Sequence, residues 1–345
     1  MQQTDNTNPT SSHASRERKW DFLRGIAIYF VILGHTIQWV DADWKHNPLF
    51  EGIYSFHMPL FMFISGYFLR NNLQQIAFWK WQKQKTHQLL IPSLFNSLIY
   101  SALLLIPISW GISTRLAQWD AQALWYLNVL WLLLVFARIV ACFPFRFLRI
   151  LLWMGAYAFV FFWHYYPFSM YAKFMLPFFL LGHLYRKLTQ LPHPLRLFLL
   201  AAGSLLWWFV LPLWDFSHSI YMLPYAPSKL TNMLHYLILY ANGFGGICTT
   251  LLLTEGSYAR LEGFASLQPF VKSTAWVGTI TLPIYVVQTH FFVIREVVKG
   301  FSRNYLLQIV TALSLVLFCW AVYRILCKVP FLRLLLFGEK NSHSW

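Results

Sequence analysis

Charge is scarce in this sequence. Asp, Glu, Lys and Arg together make up 11% of its 345 residues, less than half the roughly 25% that a soluble domain carries. A chain of this size cannot build a water-facing surface from so few charged groups. The shortage falls on the acids, which number 12 against 27 Lys and Arg. Cysteine is thin as well: Cys142, Cys248, Cys319 and Cys327 form no CxxC pair. That excludes a disulfide framework and a thiolate metal site, and we expect buried, inert thiols. No HxxxH pairing occurs either, so no metal is expected. No apolar run lies near Met1, so no secretory signal peptide is expected. Internal repeats, low-complexity arrays and lipidation signals are also missing.

What the sequence has instead is apolar surface, with 58% hydrophobic and 19% aromatic residues and a mean hydropathy of +0.49. Disorder, collagen and a small secreted module are excluded by these values. The fold class is an all-α membrane protein, because the apolar runs are continuous and not alternating strands. About 20 apolar residues cross a bilayer as a helix. Ten segments qualify, approximately 21–40, 50–69, 89–110, 122–142, 147–165, 168–185, 195–214, 231–253, 274–295 and 304–326. The net charge of +15 does not point to nucleic acid, since the cations lie between apolar runs and form no stripe. With ten transmembrane helices and both termini cytoplasmic, nineteen Lys and Arg fall inside. Six fall outside (Lys45, Arg115, Lys229, Arg295, Lys299, Arg303), and Arg24 and Lys173 lie within spans. This is the bias that a plasma or inner membrane protein shows. Residues 1–19 read as a disordered cytoplasmic tail, 20–327 as the multi-pass transmembrane domain, and 328–345 as a basic cytoplasmic tail. The connection 70–88 is a basic amphipathic stretch, with Trp79 and Trp81 among lysines, suited to lie on the inner surface.

Ionisable residues inside spans are functional candidates. Arg24 and His35 are eleven residues apart in the first span. That is roughly 1100° of helical turn, so both face one side, about 16 Å apart along the axis. Asp21 precedes Arg24 at the spacing of a helical ion pair. Either residue alone would be satisfied by snorkelling or by a helix–helix hydrogen bond; together on one face they suggest a site. In the second span His57 lies at a depth similar to His35, and Pro59 frees the carbonyl of Ser55. His290 is expected near the same level in the ninth span. His46, His164 and His218 read as solvated outer-loop residues. His183, His235, Lys173 and Asn96 are membrane-embedded with no assigned role.

The run from Asp21 to His35, followed by Phe56 to Tyr67, resembles the acyltransferase-3 family of integral membrane acyltransferases. The likeness is to its fucose O-acetylase, Nod-factor-modifying and polysaccharide O-acetyltransferase members. Arg24 and His35 match the family's Arg-x10-His signature. Leu124-Trp125-Tyr126-Leu127 resembles its Trp-aromatic-Leu motif, and Gly278 to Tyr285 its late Gly…Ser-Leu-x-Ile-Tyr segment, with Thr281 in place of Ser. The resemblance covers residues 17 to 327 and implies a ten-helix bundle moving acetyl from cytoplasmic acetyl-CoA to a carbohydrate hydroxyl. The chain runs about 18 residues past its last span. We therefore expect no appended hydrolase-like domain, and either direct transfer or a separate extracytoplasmic transferase partner. On this reading His35 is base or acyl acceptor, and Arg24 with Asp21 contacts the acyl-CoA. His57 and Tyr67 orient His35 or polarise the carbonyl, and Trp125 and Tyr126 stack on sugar or adenine. The rival reading is a multi-span transporter, which also buries Arg, His and Lys. A regulatory membrane subunit would need no Arg-x10-His face.

Overall fold

The structure is a computed structural model that describes residues 9–70, 72–105, 124–162, 169–222, 230–291, 300–301 and 303–339. Among the described residues it is all helix with no strand. In chain order the helices are α1 (Pro9–Val40), α2 (Pro48–Tyr54), α3 (His57–Tyr67), α4 (Phe78–Lys85), α5 (Ile91–Leu105), α6 (Trp125–Ala141) and α7 (Arg146–Phe162). They continue with α8 (Ser169–Leu188), α9 (His193–Val210), α10 (Leu230–Gly263), α11 (Gln268–Thr279), α12 (Thr281–Thr289), α13 (Tyr305–Leu326) and α14 (Pro330–Phe337). Helix is present over each of the ten segments expected to span, although 106–110, 122–123, 163–165, 168 and 292–295 lie outside the described residues. Among the described residues four helices are long and apolar enough to cross a membrane, within α1, α9, α10 and α13, and a fifth span results if α11 and α12 count as one.

Continuity is where the helices depart from the sequence pattern, and proline explains it. A proline has no N–H to give the carbonyl four residues earlier. Pro59 withdraws that donor from Ser55, and the second segment is broken at Ser55–Phe56 into α2 and α3. Pro283 withdraws it from Thr279, and the ninth segment bends by 68° between α11 and α12. Pro177 sits inside α8 without ending it, because the Tyr240 hydroxyl donates to the orphaned carbonyl of Lys173 at 2.9 Å.

Two crossings are close enough to put backbone against backbone. A Cβ on Gly278 would overlap the carbonyl of Asp21, and one on Gly25 the carbonyl of Thr274, so α1 and α11 touch at the level of the Asp21–Arg24 pair. Gly66 and Gly182 make the same approach between α3 and α8. Small residues are the usual means of such packing in apolar bundles.

Several expectations are corrected. Helix α1 reaches back to Pro9, into the segment read as a disordered tail. The segment read as a basic C-terminal tail contains α14, which buries Leu336 and Phe337 in the bundle. The Tyr323 hydroxyl donates to the Glu339 carboxylate at 2.9 Å, holding the end of that helix. Cys142 is exposed, whereas Cys248 and Cys319 are buried as expected. Cys142 caps the end of α6, where its Sγ accepts from Arg138 at 2.9 Å. In the basic stretch, Trp79 is exposed while Trp81 is buried beneath Lys85, whose ammonium lies 4.9 Å from its ring.

Gly278→Val is expected to force α1 and α11 apart and to cost about 1–3 kcal/mol, the usual penalty of overpacking. Gly155→Val, where an added Cβ meets nothing within 4 Å, should leave stability unchanged. Thermal unfolding of the two variants in detergent, followed by loss of monodisperse protein, measures the difference.

Candidate active site

The site is built on one face of α1. Arg24, Ile28, Val31 and His35 follow one another at three- and four-residue steps and so share that face. Arg24 donates to Asp21 at 2.9 Å, which realises the expected ion pair. Its guanidinium rests 4.0 Å from the centre of the Phe68 ring, a contact that attracts a cation to the ring face. Above it, a cavity of about 210 Å³ runs beside Arg24, Ile28 and Val31. The opposite wall comes from Ser65 and Tyr126, whose hydroxyls lie 2.9 Å apart, and from Tyr285 on α12. The bend before α12 is what turns Thr281, Leu282 and Tyr285 toward Arg24.

His35 is one step further along the same face and keeps accessible surface although its neighbours on α1 are buried. Its Nδ1 lies 3.1 Å from the Tyr54 hydroxyl and 3.4 Å from Gln38 Oε1. The Tyr54 hydroxyl donates to that same Gln38 oxygen at 3.1 Å. Having given its proton to Gln38, Tyr54 offers His35 only a lone pair, as does the amide oxygen. We assign the tautomer with His35 Nδ1 as the donor to this pair of oxygens and Nε2 unprotonated.

His57 is set up the same way. Its Nδ1 lies 2.9 Å from the carbonyl oxygen of Ile53, which can only accept. Its Nε2 again carries the lone pair. The break between α2 and α3 makes this possible, since it exposes a carbonyl at the end of α2 to the first side chain of α3. The Tyr54 ring centre is 4.7 Å from that of His57. Tyr54 thus joins the two imidazoles, and Gly34 lets it lie against α1, because a Cβ there would meet the Tyr54 ring at 2.6 Å. Tyr54 and Gln38 were not anticipated. The available signal was spacing: Gln38 follows His35 by three residues, and Tyr54 precedes His57 by three.

Other candidates are not brought to this point. Tyr67 stacks on Trp20 with ring centres 3.8 Å apart, fifteen residues or about 22 Å of helix from His35. It cannot orient that imidazole. Trp125 is buried and stacked on Tyr171 at 4.5 Å, so that face is occupied, whereas its neighbour Tyr126 opens on the cavity. His290 Nε2 pairs with Asn96 Oδ1 at 3.0 Å, and Asn96 in turn donates to the Leu336 carbonyl of α14 at 3.1 Å. The bend before α12 carries His290 toward α5 and α14, so the three histidines do not share one level. Lys173 lies over the Tyr236 ring at 5.1 Å. His46 and His218 pair with Asp43 and Asp215 at 2.7 and 2.9 Å, and His164 lies outside the described residues. Among the described residues no three His, Cys, Asp or Glu side chains are grouped to hold a metal.

Below Arg24, on the other side of Phe68, lies a second cavity of about 500 Å³. Arg70, Lys80 and Lys85 line it with Trp81. Burial, with Arg70 adding to it, holds the Lys85 ammonium below the usual lysine range. Phe68 thus lines this cationic chamber and carries on its ring the Arg24 guanidinium that lines the cavity beside α1.

Residues 17–324 match the model of the acyltransferase-3 family, described as an acyltransferase domain. The chain belongs to the acyltransferase-3 family. Over 86 residues it is 42% identical to the nodulation protein NolL of Mesorhizobium japonicum, covering 24% of this chain and 23% of that protein. It is 43% identical over 86 residues to NolL of Sinorhizobium fredii, with the same shares. The aligned segment therefore spans about a quarter of the length of these curated relatives. No solved structure matches this acyltransferase-3 chain.

The tautomers are open to direct measurement. In protein labelled with ¹⁵N-histidine at pH 8, His57 and His35 should both give the pattern of a protonated Nδ1 and a bare Nε2. Tyr54→Phe should disturb the His35 signals and leave the Nδ1–H of His57 in place. A bare Nδ1 on His57 would contradict its bond to Ile53.

Proposed function

We propose that this acyltransferase-3 protein is a membrane-embedded O-acetyltransferase. It spans the plasma or inner membrane ten times with both termini in the cytoplasm. It moves acetyl from cytoplasmic acetyl-CoA to a hydroxyl of a carbohydrate at, or destined for, the cell surface. One observation carries the reading: Phe68 lines a cationic chamber, Arg24 rests on the Phe68 ring, and Arg24, Ile28 and Val31 line an apolar cavity on the face of α1 that also carries His35. That arrangement suits a donor with phosphates at one end and a thioester at the other. Family membership supports the reaction class.

The residues present fit acetyl-CoA as co-substrate. Arg70, Lys80 and Lys85 would neutralise its phosphates, as clustered cations do at little cost when they are already close together. Arg24, its rotamer held by Asp21, would meet the pantetheine arm, with Tyr126 and Ser65 on the facing wall. About 16 Å separates Arg24 from His35 along the helix, which is the stretch such an arm has to cross.

At His35 the unprotonated Nε2 takes the proton of the sugar hydroxyl as the hydroxyl oxygen attacks the thioester carbonyl carbon. The carbon–sulfur bond breaks, and the same proton passes to the departing sulfur, giving the O-acetyl sugar and free CoA thiol. In the two-step variant the same lone pair attacks the thioester carbonyl, and the carbon–sulfur bond breaks to release the CoA thiolate. The sugar hydroxyl then attacks the acetyl carbon, the bond to Nε2 breaks and returns its lone pair, and the hydroxyl proton neutralises the thiolate. Tyr54 and Gln38 position His35 for either route. His57, its own Nε2 bare, supplies a second acceptor beside Tyr54. A separate extracytoplasmic transferase is compatible with the two-step variant.

In a strain lacking this gene, wild type should restore O-acetyl groups on surface glycans, read by mass spectrometry. His35→Ala, inserted at equal level, should fall by about 10²-fold or more, the usual worth of a positioned acid–base group. Arg24→Ala should raise the KM for acetyl-CoA about tenfold in isolated membranes, the loss of one charge-assisted contact. Flux of a solute that depends on His35 without any acetylated product would sink the enzyme reading and favour transport.

A further inference from the structure

Between Glu51 and Asp215 the sequence contains one acid, Asp120, against twelve Lys and Arg. The helices from this stretch cannot neutralise their own cations, and several of those cations gather at one place. Helix α7 has no buried residue, and although its Trp153 meets Phe136 of α6 with ring centres 4.9 Å apart, it leaves a gap along α6 and α8. The gap is a groove of about 950 Å³. Arg146 at the start of α7, Arg149 one turn on, and Lys187 at the end of α8 line one end of it, with Arg70 beside them. Trp153, Tyr157 and Ala158 from α7 and Pro177 and Leu180 from α8 line the remainder. From Arg146 to Ala158 is twelve residues, or about 18 Å of helix. The groove is therefore cationic at one end and apolar along its length.

We infer that this groove binds an anionic phospholipid of the surrounding bilayer, its phosphate among Arg146, Arg149 and Lys187 and an acyl chain along Trp153, Tyr157 and Leu180. An apolar groove facing hydrocarbon has no use for water, and lipid chains are what lies against it. Clustered Lys and Arg at the end of such a groove select for a charged headgroup. The position argues for bulk lipid over a lipid-linked sugar. Arg186, next to Lys187, lies over the Tyr67 ring at 5.4 Å, and Tyr67 stacks on Trp20. The headgroup end is thus level with the start of the membrane part of α1, about 22 Å of helix from His35, where a sugar could not be acylated. Arg70 lines both this groove and the chamber behind Phe68, so a bound lipid borders the donor chamber. The inference does not depend on the acetyltransferase reading.

Delipidated full-length protein would be titrated with phosphatidylglycerol and with phosphatidylcholine, and the bound species counted by native mass spectrometry. Wild type should prefer phosphatidylglycerol at least tenfold. Arg146→Gln with Lys187→Gln should bring that preference close to parity. Arg149 is spared in this variant because it also donates to the Phe143 carbonyl at 2.7 Å and supports the α6–α7 turn. Ala158→Phe, which fills the apolar part, should weaken both lipids about equally, and it keeps the test valid if the charge variant fails to fold. Equal binding of the two lipids by wild type would overturn the inference. So would an undiminished preference in the charge variant, or release of a lipid-linked glycan in place of phospholipid from the purified protein.

Discussion

A backbone carbonyl that loses its helical donor inside an apolar bundle must find another donor or end the helix there. Pro59, Pro177 and Pro283 impose that demand in three places, and the architecture around α1 follows from how each is met. At Pro177 a neighbouring hydroxyl, that of Tyr240, meets it and α8 stays continuous. At Pro59 the chain breaks, and the new end of α2 presents the Ile53 carbonyl to His57. At Pro283 the chain bends by 68°, which turns Tyr285 into the cavity beside Arg24. Without the two breaks, neither the His57 tautomer nor the far wall of the cavity would exist in this form.

Scarcity of acids is the second organising fact. Each acid among the described residues therefore matters to the packing of α1. Glu255, almost fully buried, accepts from Arg196 at 2.9 Å and pairs with Lys19 at 3.4 Å, tying the start of α1 to α9 and α10. Asp41 accepts from Asn47 at 2.9 Å and pairs with Arg303 at 3.5 Å, closing the other end of α1 against the approach to α13. Asp21 holds Arg24. These pairs pin α1 at Lys19, at the site and just past its C-terminal end. Among the described residues, Arg70, Lys80, Lys85, Arg146 and Lys187 line the chamber behind Phe68 and the groove beside α7 without an acid in either lining.

Periodicity made the helices and the shared face of Arg24 and His35 legible, because both belong to one continuous helix with fixed turn and rise. The Asp21–Arg24 pair was legible for the same reason. Tyr54 and Gln38 escaped notice because neither has an unusual property alone; their role comes from where α2 ends against α1. Tyr67 and Trp125 misled because a motif gives residue types without saying which face a neighbouring ring already covers. His290 misled because a count of residues assumes a straight helix, and the bend at Ile280 redirects it to Asn96.

The sequence by itself determined that the chain is helical, apolar and basic, and that α1 carries a cation and an imidazole on one side. Those properties are local and depend only on composition and on the geometry of a single helix. Tertiary structure alone decided which donors met the carbonyls that proline had freed. It also decided which rings were already stacked and which cations were left without an acid, since each of these depends on residues far apart in the chain meeting across helix boundaries.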